Sequence, residues 1–233
     1  MTTINQVYEQ RRLIFTSLAL LGGLALFLAV LVQSPGAADQ PLPIDPNEAG
    51  PDVVLAEADG LELSTPIRPS ELTGLGYHPE GEAVAELSPE GKNLSSNPLL
   101  SLVSAASNPM DIRYYVMDRE RREGSSTGAL DVGAETGAKA YSPVTGIVTA
   151  VRPDPTMQSA KIIEIKPTEF PNSRVLVSLL QDVSADIGPE ARVTAGMTEL
   201  GSVADLTSVM EPQLAQYTNG PGNHVTVFVL KSG

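Results

Sequence analysis

Two histidines, His78 and His224, are all the imidazole that a chain of 233 residues offers, and it holds no cysteine. Thiolate nucleophiles, disulfides and cysteine-ligated zinc, haem or iron–sulfur groups are excluded at once. A metal or catalytic site would be built mostly from carboxylates and hydroxyls. The inventory holds neighbouring hydroxyls at Ser125 and Ser126, a carboxylate at Asp131 and the imidazole of His224. Ser125 or Ser126 with His224 and Asp131 supplies the inventory of a hydrolytic triad, but no nucleophile-elbow pattern surrounds either serine. His78 stands in a Gly-Tyr-His-Pro turn and reads as a structural or exposed loop histidine, with nothing in the sequence placing it near Asp131.

The elements that must position these residues read as β. Arg113–Met117, Ala129–Val132, Gly146–Val151, Lys161–Lys166, Arg174–Leu180 and His224–Leu230 are short runs rich in Val, Ile and Leu. Several alternate with period two, and glycines punctuate the turns between them. Alternation in KIIEIK and HVTVFV predicts one buried and one wet face per strand. Leu206 to Tyr217 is the exception, with apolar residues at helical spacing around Pro212, and is expected as one short helix or two turns. Residues 111–233 are long enough for one all-β core.

The formal charge of −13 is unevenly spread: residues 39–110 carry −10, whereas residues 111–233 carry −4. Such acidity argues against a nucleic-acid partner, which would need a basic face. Residues 13–32 are twenty uncharged, mostly apolar residues behind Arg11 and Arg12. At 1.5 Å per residue they span the roughly 30 Å hydrocarbon core as a helix. The flanking arginines place residues 1–12 in the cytoplasm and the rest outside the plasma membrane. A cleaved signal peptide competes with this anchor, since Ala37-Ala38 offers small residues for cleavage, but its apolar core is normally shorter. Residues 33–70 read as a Pro-rich acidic linker. Residues 71–110 read as a partly ordered segment packing on the β-domain, with a short helix expected after Pro98.

The order of segments in the β-domain resembles the lysostaphin-type (LytM-like) zinc metallopeptidases. TGALDVGAETGAKAYSPVTGIVTAV (Thr127–Val151) looks like the opening of those domains, which run His-x-Gly-x-Asp, a Gly, then an Ala-Pro-x-x-Gly-x-Val strand. ARVTAGMTELGSVAD (Ala191–Asp205) resembles the family's Val-x-x-Gly-x-x-Leu-Gly hairpin, and GNHVTVFV (Gly222–Val229) its closing His-x-His strand. Lipoyl- and biotinyl-carrier domains share the turn at Tyr141–Val148, but a carrier needs a lysine at a tight hairpin tip. Pump adaptors share it too, but need long helical hairpins.

The resemblance implies a LytM-like, duplicated-hybrid-motif β-sandwich. It also implies a zinc site of His, Asp and His with an open position for water. Carried over residue by residue, the three ligand positions hold Thr127, Asp131 and Thr226. The two assisting His positions fall near Leu179 and on His224. A neutral hydroxyl is a weak zinc ligand, so no catalytic residue, metal or other cofactor is expected. Thr127, Asp131, His224 and Thr226 are instead expected to line a vestigial groove. The implied function is a non-catalytic binding or scaffolding protein of the cell envelope, taking cell-wall peptide or a membrane-associated protein as partner. The alternative is a zinc-dependent cell-wall endopeptidase with a non-standard site.

Overall fold

The computed structural model describes residues 53–95, 112–118 and 122–231. The expected membrane helix 13–32, the N-terminus before it, the first part of the linker and the helix after Pro98 lie outside the described residues. Among the described residues no helix is long and apolar enough to cross a membrane.

The first described element is a hairpin of β1 (Val54–Ala58) and β2 (Leu61–Ser64). Asp59 and Gly60 form its two-residue turn with φ of 51° and 87°, the doubly positive geometry that Asp-Gly favours and that matches strand twist. Leu55, Leu61 and Leu63 are buried by it. This corrects the reading of residues 33–70 as linker throughout. The alternating LAEADGLELS outweighs the surrounding prolines, because its leucines reach a core and its Asp-Gly closes the turn.

The strands then run β3 (Gly74–His78), β4 (Ser88–Pro89), β5 (Lys92–Asn93), β6 (Arg113–Val116), β7 (Ala129–Gly133), β8 (Lys139–Tyr141) and β9 (Gly146–Pro153). They continue with β10 (Lys161–Pro167), β11 (Arg174–Gln181), β12 (Arg192–Val193), β13 (Glu199–Val203) and β14 (His224–Leu230). β2, β1 and β4 make a small sheet. The larger one runs β12-β9-β10-β11-β14-β7-β3-β6-β5, with β13 joining β11 to β8. It is mixed: β6 lies parallel to β3 and β5, and the other pairs are antiparallel. The described residues are therefore all-β, as their periodicity predicts. In place of a helix, 206–217 forms two 3₁₀ turns, Leu206–Ser208 and Gln213–Gln216, separated at Pro212.

One face of the large sheet is the core. Leu75 and Tyr77 of β3, Leu130 and Val132 of β7, Val175 and Val177 of β11, and Val225, Val227 and Val229 of β14 share it. Strand alternation sends the intervening residues to the opposite face. There Gly76 and His78, Asp131 and Gly133, and His224 and Thr226 lie side by side. The register fixes this, with Gly76 opposite Asp131, Thr226 opposite Asp131 and His224 opposite Gly133. A one-residue slip would exchange the two sets, so the apolar face locks the polar one in place. The small sheet is tied to the large one by Tyr77, whose hydroxyl donates to the Leu55 carbonyl at 2.8 Å. Burial raises the pKa of that phenol, with the charges of Tyr114 and Glu90 adding to the effect.

Candidate functional site

β7 sits between β14 and β3 and presents Asp131 at its midpoint. The carboxylate is only 3 % exposed. Taking an ion this far out of water costs several kcal/mol unless partners replace its hydration. Those partners come from both neighbouring strands. Thr226 donates its hydroxyl to Oδ1 at 2.7 Å, His78 Nε2 lies 3.1 Å from the same oxygen, and His224 Nε2 lies 3.4 Å from Oδ2. Among the described residues no buried side-chain nitrogen or oxygen lacks a hydrogen-bond partner.

Burial on its own pushes the Asp131 carboxyl up. The charges of His224 and His78 and the hydrogen bonds from His78 and Thr226 outweigh it, and the group is held well below the usual carboxylate range. For His78 the balance runs the other way. Burial lowers its pKa, but the charge and hydrogen bond of Asp131 and the Pro79 carbonyl overcome burial and the opposing Arg122 charge, leaving a net rise.

The outer nitrogens of both rings are also engaged. His224 Nδ1 lies 2.7 Å from the Gly222 carbonyl, which can only accept, so Nδ1 carries a proton. His78 Nδ1 lies 2.9 Å from the Pro79 carbonyl and also meets Nη1 of Arg122. Arginine can only donate and a carbonyl can only accept. His78 therefore has two alternatives: the cation donating to Pro79, or the neutral ring accepting from Arg122. Glu80 adds a carboxylate 3.6 Å from the same nitrogen.

The expected residues are brought together in part. Asp131, His224 and Thr226 form one bonded cluster. Thr127 is buried on the loop before β7, but its hydroxyl is paired with Ser125 Oγ at 3.4 Å rather than with Asp131. Ser125 thus faces Thr127 and not a histidine, which leaves the triad inventory without its geometry. The position near Leu179 is a bulge in β11. Leu179 has φ of 64° and its amide donates to Asp154 Oδ2 at 3.0 Å. The sequence reading missed His78 and Arg122. His78 is the last residue of β3 rather than a loop residue, and β3 pairs along β7 so that its imidazole reaches Asp131. The alternation Leu75-Gly76-Tyr77-His78, with apolar residues at odd numbers, was the available signal.

The cluster is covered. The 3₁₀ turn Gln213–Gln216 lies over β3 and β7, where Gly76 and Gly133 leave room. A Cβ at Gly76 would lie 3.0 Å from Leu214 Cδ1, and one at Gly133 would lie 2.9 Å from Leu214 Cδ2. Arg122 bridges cover and cluster, meeting His78 through Nη1 and donating through Nη2 to Gln213 Oε1 at 2.6 Å.

These residues do not fit zinc. A zinc site needs its ligands to converge on one point with a position left open. Here His78 is hydrogen-bonded to one oxygen of the carboxylate, His224 lies 3.4 Å from the other, and Thr226 occupies a third ligand position with a hydroxyl. Among the described residues no group of three His, Cys, Asp or Glu is spaced to hold a metal ion. What the arrangement does chemically is hold a buried carboxylate charged between two proton-bearing rings.

No protein-family model matches the chain, and no curated protein matches it. Among solved structures, Csd3 of Helicobacter pylori in a hexagonal crystal is similar at 16 % identity and a TM-score of 0.33, over 45 % of this chain and 23 % of that one. The SpoIIQ–SpoIIIAH pore-forming complex is similar at 18 % identity and a TM-score of 0.32, over 45 % of this chain and 57 % of that one. A zinc-containing peptidase from Vibrio cholerae is similar at 17 % identity and a TM-score of 0.32, over 49 % of this chain and 32 % of that one. The chain thus spans between about a quarter and somewhat more than half of the length of the structures it matches.

Proposed function

We propose that the β-domain is a degenerate lysostaphin-type domain that binds or scaffolds rather than hydrolyses, held outside the membrane on residues 13–32. Its ligand is a cell-wall peptide or a membrane-associated envelope protein. The observation that carries this reading is the saturation of Asp131. At a position where the family it resembles would place a metal ligand, both carboxylate oxygens are engaged by the protein's own Thr226, His78 and His224. The strand pattern around them is intact, so the fold outlasts the metal chemistry. The anchor rests on the uncharged run behind Arg11 and Arg12.

Metal analysis of the purified full chain tests the non-catalytic part. The expected result is zinc far below stoichiometric after incubation and dialysis. Near-stoichiometric zinc, lost in Asp131→Ala together with peptidase activity, would overturn it in favour of an endopeptidase that recruits His78. The binding part is tested by retaining isolated cell wall and detergent-solubilised envelope proteins on the immobilised full chain. A control chain ending at residue 52 should retain neither. Equal retention by the two would remove the binding reading.

A further inference from the structure

Residues 206–218 cross the face that carries Asp131, yet they are built differently from the sheet beneath. They hold two single-turn 3₁₀ elements, and between 207 and 221 only Pro212 and Leu214 are buried. Val209 and Met210 point outward, at 55 % and 40 % exposure. The segment's grip on the sheet is one buried plug, the Thr218 methyl against Gly74, the Tyr217 ring 5.4 Å from that of Tyr115, and a few polar ties. Leu214 is fully buried and enters the space left by Gly76 and Gly133. Gln213 accepts from Arg122 at 2.6 Å and donates to the Asp118 carbonyl at 2.9 Å, while the Tyr217 hydroxyl accepts from the Asp118 amide at 3.3 Å.

Its ends are fixed. Asn223 is buried, accepts from the Leu206 amide at 2.9 Å and donates to Thr136 at 2.8 Å. Gly220 has no neighbour that a Cβ would meet, and Gly222 follows with φ of 76°. A segment pinned at both ends, with little apolar burial between them, opens at lower free energy than the strands it covers. Permanent core would lay apolar against apolar. Here one leucine of the segment, beside Met117 over Gly76, covers a cluster built around a charged carboxylate.

We propose that residues 206–218 are a strap closed over the Asp131 cluster, and that lifting it exposes His78, His224 and Thr226 to the ligand. This rests on the binding reading above and adds its regulation: the site is closed at rest, and binding competes with the seating of Leu214. A ligand that takes only the open form has its apparent affinity reduced by the open fraction, so loosening the plug tightens binding.

The test is histidine modification by diethyl pyrocarbonate on the folded full chain, followed residue by residue by mass spectrometry. Hydrogen exchange of the β7 and β14 amides is followed in parallel. In the wild type both histidines should react slowly. Leu214→Ala should raise their rates about 30-fold, the change that ~2 kcal/mol produces at ~1.4 kcal/mol per decade, while β7 and β14 amides stay protected. Unchanged rates in a folded Leu214→Ala protein would overturn the proposal. So would modification that rises only together with exchange of β7 and β14, since the strap would then be core. Should Leu214→Ala not fold, Gln213→Ala removes the ties to Arg122 and Asp118 without touching the plug. It should act in the same direction, and no acceleration overturns the proposal equally. In the wild type, the amides of Val209, Met210 and Tyr217 should exchange ahead of those of β14, and the reverse order would count against the strap. No ligand enters these readouts, so a failed strap and a failed binding assay are separate results.

Discussion

Asp131 and Asp154 are both almost fully excluded from solvent, at 3 % and 1 % exposure, yet they are held by opposite means. Asp154 accepts two backbone amides, Thr156 N at 2.8 Å and Leu179 N at 3.0 Å. Such donors exist whatever side chain occupies the position, and they do not titrate. Asp131 is held by three side chains, two of them ionisable, delivered from strands on either side. The first carboxylate shapes a turn and a bulge. The second couples β3, β7 and β14 and makes their association depend on protonation. The Asp154 arrangement therefore marks a structural residue. The Asp131 arrangement depends on three separate side chains from two other strands.

The largest expected effect follows from removing the charge that the two rings surround. Asp131→Ala leaves His78 buried beside Arg122 with only the part-exposed Glu80 carboxylate as counter-charge, and should cost about 3–5 kcal/mol of stability in urea unfolding. A loss under about 1 kcal/mol would mean that water already reaches the cluster, and would erase the contrast with Asp154. Asp154→Ala should cost somewhat less, about 2–3 kcal/mol, for two amides left without acceptors. It should also have a local signature. Leu179 pays about 1–3 kcal/mol for its left-handed backbone, and Asp154 is what holds it there. Amide exchange at Leu179 should rise while that of β7 stays protected. Spread of the increase to β7 would show that the bulge, too, supports the cluster.

Much of this architecture was legible because β-strands write their pattern locally. His224–Leu230 was readable to the residue, and the five other expected strands appear with C-terminal ends shifted by one or two residues. The site was half legible. Asp131, His224 and Thr226 sit on adjacent strands whose order a motif resemblance could supply. His78 was not, because its role depends on a pairing between residues 74–78 and 129–133 that no local pattern encodes. Leu214 was visible as an apolar residue at helical spacing. Its function as a plug depends on two glycines, Gly76 and Gly133, that are far from it in sequence. The hairpin at Asp59-Gly60 was legible and was overridden by composition. Seven prolines between 35 and 70 spoke for a linker, but two short runs, VLAEA and LELS, joined by Asp-Gly are the more specific signal.

The smallest effect is the one that separates the two carboxylates most cleanly, the response to pH. His78 has its pKa raised in the folded state, burial being outweighed by Asp131 and the Pro79 carbonyl. The folded chain thus holds that proton more tightly than the unfolded one. Its contribution is complete below the unfolded value of ~6.5 and disappears as pH rises through the raised folded value. Asp131 is lowered, burial being outweighed by its histidine partners and Thr226, so its contribution is present above the unfolded value of ~3.9 and is lost as pH falls. The cluster is therefore strongest between pH ~4 and ~6.5, with stability declining above that window by at most about 1.4 kcal/mol per pH unit, the limit for one proton. Urea midpoints at a series of pH values from about 6 to 9 should show this decline in the wild type and in Asp154→Ala. His78→Gln should flatten it, because glutamine still donates to Asp131 but carries no titrating proton. A His78→Gln protein that keeps the wild-type slope would place the proton elsewhere, with Arg122 holding His78 neutral by donating to its Nδ1.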